Sequence, residues 1–196
     1  LEKAKSVAVS IEIEVKFQIA SWEEGERLLS EAGATLSRPR YFERNSLLDS
    51  PEQVLQKRGA ALRLRQARGR SWLTYKGPEL GSGRFKERQE YETVLEDASA
   101  IEEIFRSLGF VERFQYEKYR AVYTIGQIEA CLDEAPMGFY LELEGEREGI
   151  ESVVRKVGFR MADTITATYP QLYQAYRDQT PQAPEFMVFS KQKRPR

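Results

Sequence analysis

Ser10-Ile11-Glu12-Ile13-Glu14-Val15-Lys16-Phe17-Gln18-Ile19-Ala20 is the stretch on which the fold turns. Ile11, Ile13, Val15, Phe17 and Ile19 share one side, and Glu12, Glu14, Lys16 and Gln18 share the other. A period of two marks a β-strand with one apolar and one ionic face. The pattern recurs outward from there. Residues 60–67 and 71–76 predict a hairpin about Arg68-Gly69-Arg70, and further strands are predicted over 35–48, 84–95, 111–124, 127–134 and 139–145. Helices fall between them. Ser21 reads as an N-cap with Glu24 three residues on, and Gly33 as the stop; Ser99 caps a second helix reaching Leu108. Two more are predicted over 146–157 and 170–177, while Ser50-Pro51, Gly77-Pro78 and Gly81-Ser82-Gly83 read as breaks and loops. About eight strands, many joined as hairpins, favour an antiparallel sheet, open or closed into a barrel.

The totals narrow the chemistry. A chain of 196 residues with 41% hydrophobic and 31% charged residues has the size of one domain with a real core. Residues 1–9 are expected to be an N-terminal extension, 10–178 the domain, and 179–196 a disordered tail ending in an idle basic run. No apolar run approaches the roughly 20 residues of a bilayer span, and no secretory signal is evident, so a cytoplasmic location without membrane association is expected. The net charge of −1 argues against nucleic acid as a partner. The oligomeric state stays open, a homodimer included. There is no histidine and a single cysteine, Cys131. That removes the commonest general base, the commonest zinc ligand and the Ser-His and Cys-His nucleophile arrangements. A metal must therefore sit on carboxylates, which suit magnesium, manganese or calcium.

The ionic faces carry the functional signal. Counting by twos gives Arg63 and Arg65, Thr74 and Lys76, Lys86, Arg88, Glu90 and Glu92, then Lys118 and Arg120, Asp133, and Glu142 and Glu144. Leu62, Leu64, Leu73, Tyr75, Phe85, Tyr91, Tyr119, Leu132, Leu141 and Leu143 point the other way. For one strand alone, a solvated face is the ordinary explanation, with cross-strand ion pairs worth about 0.2–1 kcal/mol each. The set as a whole is different, because like charges stand two apart on the same strand: Glu12 with Glu14, Arg63 with Arg65, Lys118 with Arg120, Glu142 with Glu144. At about 6.8 Å they repel by roughly 2.4 kcal/mol at an effective dielectric near about 20, against about 0.6 in water. In a shielded space the carboxylate pairs call for a divalent cation and the basic pairs for a polyanion. A metal–polyphosphate complex supplies both.

The residues also resemble a known group. Glu12-Ile13-Glu14-Val15-Lys16 is similar to the E-x-E-x-K signature of the CYTH superfamily, the triphosphate tunnel metalloenzymes. Leu62-Arg63-Leu64-Arg65, Leu73-Thr74-Tyr75-Lys76-Gly77-Pro78, Arg88-Gln89-Glu90-Tyr91-Glu92 and Lys118-Tyr119-Arg120 resemble later motifs in the same order. Asp133 and the run from Gly138 to Glu144 resemble the closing one, although Gly138 and Phe139 are adjacent here. Thr168-Tyr169 resembles the family's late S-Y-like segment. The stretch Tyr41–Asp49 departs from the family's second strand, offering Asn45 and Asp49, and receives no role.

The resemblance implies an α+β fold: a closed eight-stranded antiparallel β-barrel with flanking helices, its interior a charged tunnel. It implies a metal-dependent enzyme acting on a small-molecule triphosphate, with Mg2+ or Mn2+ on Glu12, Glu14, Glu142 and Glu144. Lys16, Arg63, Arg65, Lys76, Arg88, Lys118 and Arg120 would grip the triphosphate. Lys16, Glu90 and Glu92 are the catalytic candidates, Asp133 supports a basic neighbour, and Lys86 belongs at the mouth. A triphosphatase acting on inorganic, nucleoside or thiamine triphosphate is the first reading. A class IV adenylyl cyclase making cyclic AMP and pyrophosphate is the second, and a non-catalytic polyphosphate-binding module the third.

Overall fold

The computed structural model describes residues 10–81, 83–191 and 193–194. The extension expected at 1–9 lies outside the described residues, as do Ser82, Gln192, Pro195 and Arg196. The strands are β1 (Ser10–Ile19), β2 (Thr35–Asp49), β3 (Ala61–Ala67), β4 (Arg70–Glu79), β5 (Lys86–Leu95), β6 (Val111–Ile125), β7 (Ile128–Ala135) and β8 (Gly138–Glu144). They close into an antiparallel barrel in the order β1-β5-β4-β3-β2-β6-β7-β8. β1 makes the closure. Its first half pairs with β5, Glu12 opposite Arg88, and its second half with β8, Lys16 opposite Glu142. The predicted β3–β4 hairpin turns at Arg68 and Gly69, both with positive φ (52° and 71°), as a tight two-residue turn requires.

Helices α1 (Trp22–Glu31), α2 (Val54–Lys57), α3 (Ala98–Ser107), α4 (Arg147–Lys156) and α5 (Tyr169–Gln179) fill the connections. At α1, Ser21 Oγ accepts from the Glu24 amide at 3.1 Å, and the Glu24 carboxylate reaches back to the Ala20 amide at 2.6 Å. At α3 the cap is Asp97 rather than Ser99, its carboxylate accepting from the Ala100 amide at 2.9 Å. An ionised oxygen at the true helix start outcompetes a hydroxyl two residues inside it. The short α2 was not predicted. The Asp49 carboxylate builds it, accepting from the amides of Ser50, Leu55 and Gln56 at 2.8, 3.0 and 2.9 Å. β4 also runs through Gly77-Pro78, with an irregular register between Lys76 and Glu79 where the proline offers no amide.

The apolar core lies outside the barrel wall. Val15, Phe17, Leu132, Leu141 and Leu143 pack against Leu29 of α1 and Ile150, Val153 and Val154 of α4. Close approach of α1 depends on Gly25: a Cβ there would clash with Leu132 Cδ1. With helices covering the apolar faces, the alternate residues of the same strands are turned into the barrel. Among the described residues, no helix is long and apolar enough to cross a membrane.

The stretch from Gln179, expected as a disordered tail, is anchored at residues 184–189 instead. Met187 makes a parallel bridge beside Tyr116, accepting from the Glu117 amide at 2.8 Å and donating to Gln115 at 3.1 Å. Tyr173 of α5 donates to the Pro184 carbonyl at 2.9 Å. The Pro- and Gln-rich surroundings suggested disorder, but Phe186-Met187-Val188-Phe189 supplies apolar surface to bury, and Met187 is fully enclosed. Met187→Ala is expected to destabilise the fold by about 2–5 kcal/mol in urea unfolding. A loss below about 1 kcal/mol would show that this strap contributes little.

Candidate functional site

The inward faces meet as a network of ions, and several pairs skip a strand. Lys76 of β4 donates to Glu12 of β1 at 2.7 Å across β5, Arg63 of β3 lies 3.5 Å from Glu92 of β5 across β4, and Arg120 of β6 pairs with Glu142 of β8 across β7. Neighbouring strands stand about 4.8 Å apart, so on a flat face such partners would start roughly 10 Å from each other. The concave inner face of a closed barrel brings their tips together.

Asp133 organises the deepest part. Wholly buried, it accepts from Arg120 Nε and Nη2 at 2.7 and 2.6 Å, from Lys118 Nζ at 2.9 Å and from the Tyr169 hydroxyl at 2.7 Å. Lys16 lies 3.2 Å from Glu142 and donates to the Ala167 carbonyl at 3.3 Å. Burial disfavours charge on Lys118, and Arg120 adds repulsion, yet Asp133, Glu43 and Glu142 hold the ammonium pKa above its ordinary value. Burial likewise opposes ionisation of Glu142, and Lys118, Lys16 and Arg120 outweigh it, keeping the carboxyl well below the usual range.

The second cluster joins β1, β4 and β5. Lys76 holds Glu12 and also Glu90, at 2.9 Å. Thr74 accepts from Arg63 at 3.2 Å and donates to Glu92 at 2.7 Å. Two guanidinium nitrogens here, Arg63 Nε and Arg88 Nε, are buried with no hydrogen-bond acceptor among the described residues. Arg88 makes no ion pair among those residues. A buried donor left so costs about 1–3 kcal/mol.

The acidic residues proposed for a metal are gathered but not converged. Glu14 and Glu129 flank Glu144 in register on either side. Glu14 is held by Lys86 at 3.0 Å and Glu129 by Arg38 at 2.7 Å, whereas among the described residues Glu144 has no ion pair. Glu144 is exposed to solvent, its carboxylate only partly screened from water by the barrel wall. That partial desolvation, then the negative charges of Glu12, Glu129 and Glu14, push its pKa up to about 7 against the opposing pull of Lys76. Among the described residues, no three carboxylate or cysteine groups converge as a metal cage. The donor chemistry still fits a hard cation, since every candidate ligand is a carboxylate oxygen and Glu144 sits in an excess of negative charge that a cation relieves.

Glu43 was missed in the sequence. It is fully buried, 3.5 Å from Lys118 and 3.9 Å from Arg65, and accepts from Asn45 at 3.2 Å, while Asn45 accepts from Arg65 at 3.3 Å. Burial would raise its pKa, but Arg65, Lys118, Arg120 and Arg63 hold the carboxyl far below the usual range. A one-residue phase shift was the readable signal: Glu43 and Asn45 alternate with Phe42 and Arg44, which turn outward. Two surface clefts, one around Phe85 and Arg147 and one around Tyr41, Arg44 and Arg68, lie outside this network.

With this geometry in place, likeness to known proteins becomes informative. A protein of Methanocaldococcus jannaschii named "Putative adenylate cyclase" is 31% identical over 135 residues, covering 68% of this chain and 76% of the relative. A Vibrio parahaemolyticus structure described in the same terms superposes with a TM-score of 0.75 at 17% identity, covering 85% of this chain and 99% of its own. A Hippeastrum structure, described as a cyclase of that kind revealing a dominant triphosphatase activity, gives 0.61 at 17%, covering 84% and 96%. These two structural likenesses establish the shared fold. The family model described as the CYTH domain matches residues 10–169, and this chain belongs to that family.

Proposed function

We propose that the barrel interior grips the triphosphate group of a small molecule, and that the protein is a divalent-metal-dependent triphosphatase. The observation that carries this reading is the pair of buried guanidinium nitrogens, Arg63 Nε and Arg88 Nε, that face no acceptor among the described residues. Phosphate oxygens satisfy such donors in the bidentate manner that guanidinium favours. Lys16, Arg65, Lys76, Lys118 and Arg120 supply the remaining positive charge. Glu12, Glu14, Glu142 and Glu144 are the residues that would hold Mg2+ or Mn2+, which when bound neutralises phosphate charge and acidifies water.

The protein's own groups do the positioning. Lys76 bridges Glu12 and Glu90, and Lys86 neutralises Glu14. A cation held by Glu12 and Glu14 would leave the ammonium groups of Lys76 and Lys86 available to phosphate oxygens. Glu90 and Glu92 orient the attacking water, and Asp133 fixes Lys118 and Arg120 so that little reorganisation remains as charge develops on the leaving oxygen. The triphosphatase activity described for the Hippeastrum neighbour supports hydrolysis, whereas the name of the M. jannaschii relative supports cyclisation as the second reading.

Product analysis separates them. With ATP or tripolyphosphate and magnesium or manganese, orthophosphate release is the expected outcome. Cyclic nucleotide with pyrophosphate would establish the cyclase instead, and tight binding without turnover a binding module. Glu144→Gln is the cleaner acidic substitution, because Glu142 is tied to Lys16 and Arg120. It is expected to lower metal-dependent turnover at least about 100-fold while leaving the thermal midpoint in place. Unchanged turnover would remove Glu144 from the ligand set.

A further inference from the structure

We infer that the outer face of the β3–β4 hairpin is a second anion site, separate from the barrel interior, that takes the phosphate of a nucleotide-sized monoester. A cleft of about 560 Å³ lies there, bounded by Arg44 of β2, by Arg68 and Arg70 at the turn, and by Gln66, Ser71 and Phe42. No carboxylate lines it. All three arginines are exposed, and among the described residues none of them forms an ion pair. Register explains why Arg44 lacks a counter-charge. Arg44, Gln66 and Ser71 stand opposite one another across β2, β3 and β4, a row of hydrogen-bond donors. Glu117 of β6 continues the row on the far side of Arg44, but it is buried, and its Oε2 accepts from the Phe189 amide at 3.0 Å and from Arg194 Nε at 2.9 Å. The C-terminal strap, which lies beyond the family-matched residues 10–169, thus consumes the carboxylate that would otherwise neutralise Arg44. In the amide orientation that satisfies both side chains, Gln115 Oε1 accepts from Arg44 Nε at 2.7 Å and from Nη2. A neutral acceptor fixes the guanidinium without cancelling its charge.

Arg68 points the same way on independent grounds. Its φ of 52° lies in the left-handed region, at a turn position that favours asparagine, aspartate or glycine. Arginine does nothing for the turn itself. Its guanidinium lies 5.8 Å from the centre of the Tyr41 ring, at the edge of the cleft. Three guanidinium groups around one cleft repel one another, and a dianion relieves that repulsion. A phosphate monoester is close to dianionic at neutral pH, and its oxygens match the guanidinium fork. The volume, within the range of about 300–1,000 Å³ usual for small-molecule sites, leaves room beyond the phosphate. Phe42 and Tyr41, half-buried beside the arginines, offer ring faces to the planar base of a nucleotide.

Amide NMR on the whole chain without magnesium tests it, because the Gly69 and Ser71 signals report on the hairpin whatever the interior holds. The probes are adenosine monophosphate, adenosine and inorganic phosphate. The monophosphate is expected to shift both amides and to bind there at least about tenfold more tightly than either of the others. Arg68→Asn gives the turn a favoured residue and removes one guanidinium. It is expected to raise Tm by roughly 1–4 °C and to weaken the monophosphate at least about tenfold. Arg44→Gln is expected to weaken it to the same degree without the gain in Tm. Unmoved Gly69 and Ser71 signals at millimolar adenosine monophosphate would overturn the inference. So would adenosine binding equally well, or an Arg68→Asn protein that keeps the wild-type affinity. Inorganic phosphate binding as tightly as the monophosphate would overturn the assignment to a nucleotide.

Discussion

Replacing Asp133 with alanine is expected to destabilise the protein by about 3–5 kcal/mol, more than any other single change in the interior. The carboxylate accepts from two nitrogens of Arg120, from Lys118 and from Tyr169, and it has no exposure to water. Its removal leaves two cations close together in a low-dielectric space, with Glu43 and Glu142 as their remaining ion-pair partners among the described residues. Breaking one member of a buried ionic cluster costs far more than the net contribution of the intact cluster, because the remaining charges cannot recover their hydration. For a chain of this length the loss corresponds to a fall in Tm of roughly 6–20 °C. Asp133→Asn keeps an acceptor of the same shape and is expected to lose less. Calorimetry showing less than about 1 kcal/mol for the alanine variant would mean that Asp133 does not organise the deep end.

Arg88→Ala is expected to do the opposite: little to stability, much to turnover. Among the described residues, Arg88 forms no ion pair and its buried Nε has no acceptor. Truncation therefore removes an unsatisfied donor rather than a contact, and unfolding free energy should stay within about 1 kcal/mol of the wild type. If the guanidinium waits for phosphate oxygens, kcat/KM for the triphosphate falls by about 100- to 1000-fold, the scale of losing one preorganised donor at a developing charge. A stable variant with wild-type kcat/KM would remove Arg88 from the substrate grip. A strongly destabilised one would show that it has a structural task.

The contrast between these residues explains how much was legible in the sequence. Alternation at Ser10–Ala20 and its recurrences located the strands, and the purity of charge opposite the apolar positions marked a shielded interior. Closure was not in the periodicity, since an open sheet and a barrel share the same period of two. It depends on β1 pairing with both β5 and β8, a register between strands distant in sequence. Glu43 escaped because Pro39 and register shifts between Leu36 and Tyr41 blur the alternation of β2. The strap at 184–189 escaped because its four apolar residues acquire meaning only beside Tyr116 and Tyr173. Within the interior, spacing identified which residues carry charge but not how they divide. Glu142 proved to be committed to Lys16 and Arg120, while Glu144, two residues on, is open and pushed up to about 7.

The central claim is that the ionic interior is built to receive a metal-bearing triphosphate rather than to neutralise itself. A crystal structure grown with tripolyphosphate and manganese tests it most directly, because manganese is located by its own scattering. The prediction is an anion inside the barrel, within hydrogen-bond distance of Arg63 Nε and Arg88 Nε, with manganese on a carboxylate set that includes Glu144. An interior holding only its present ion pairs, with tripolyphosphate on the outer cleft of Arg44 and Arg68, would contradict it.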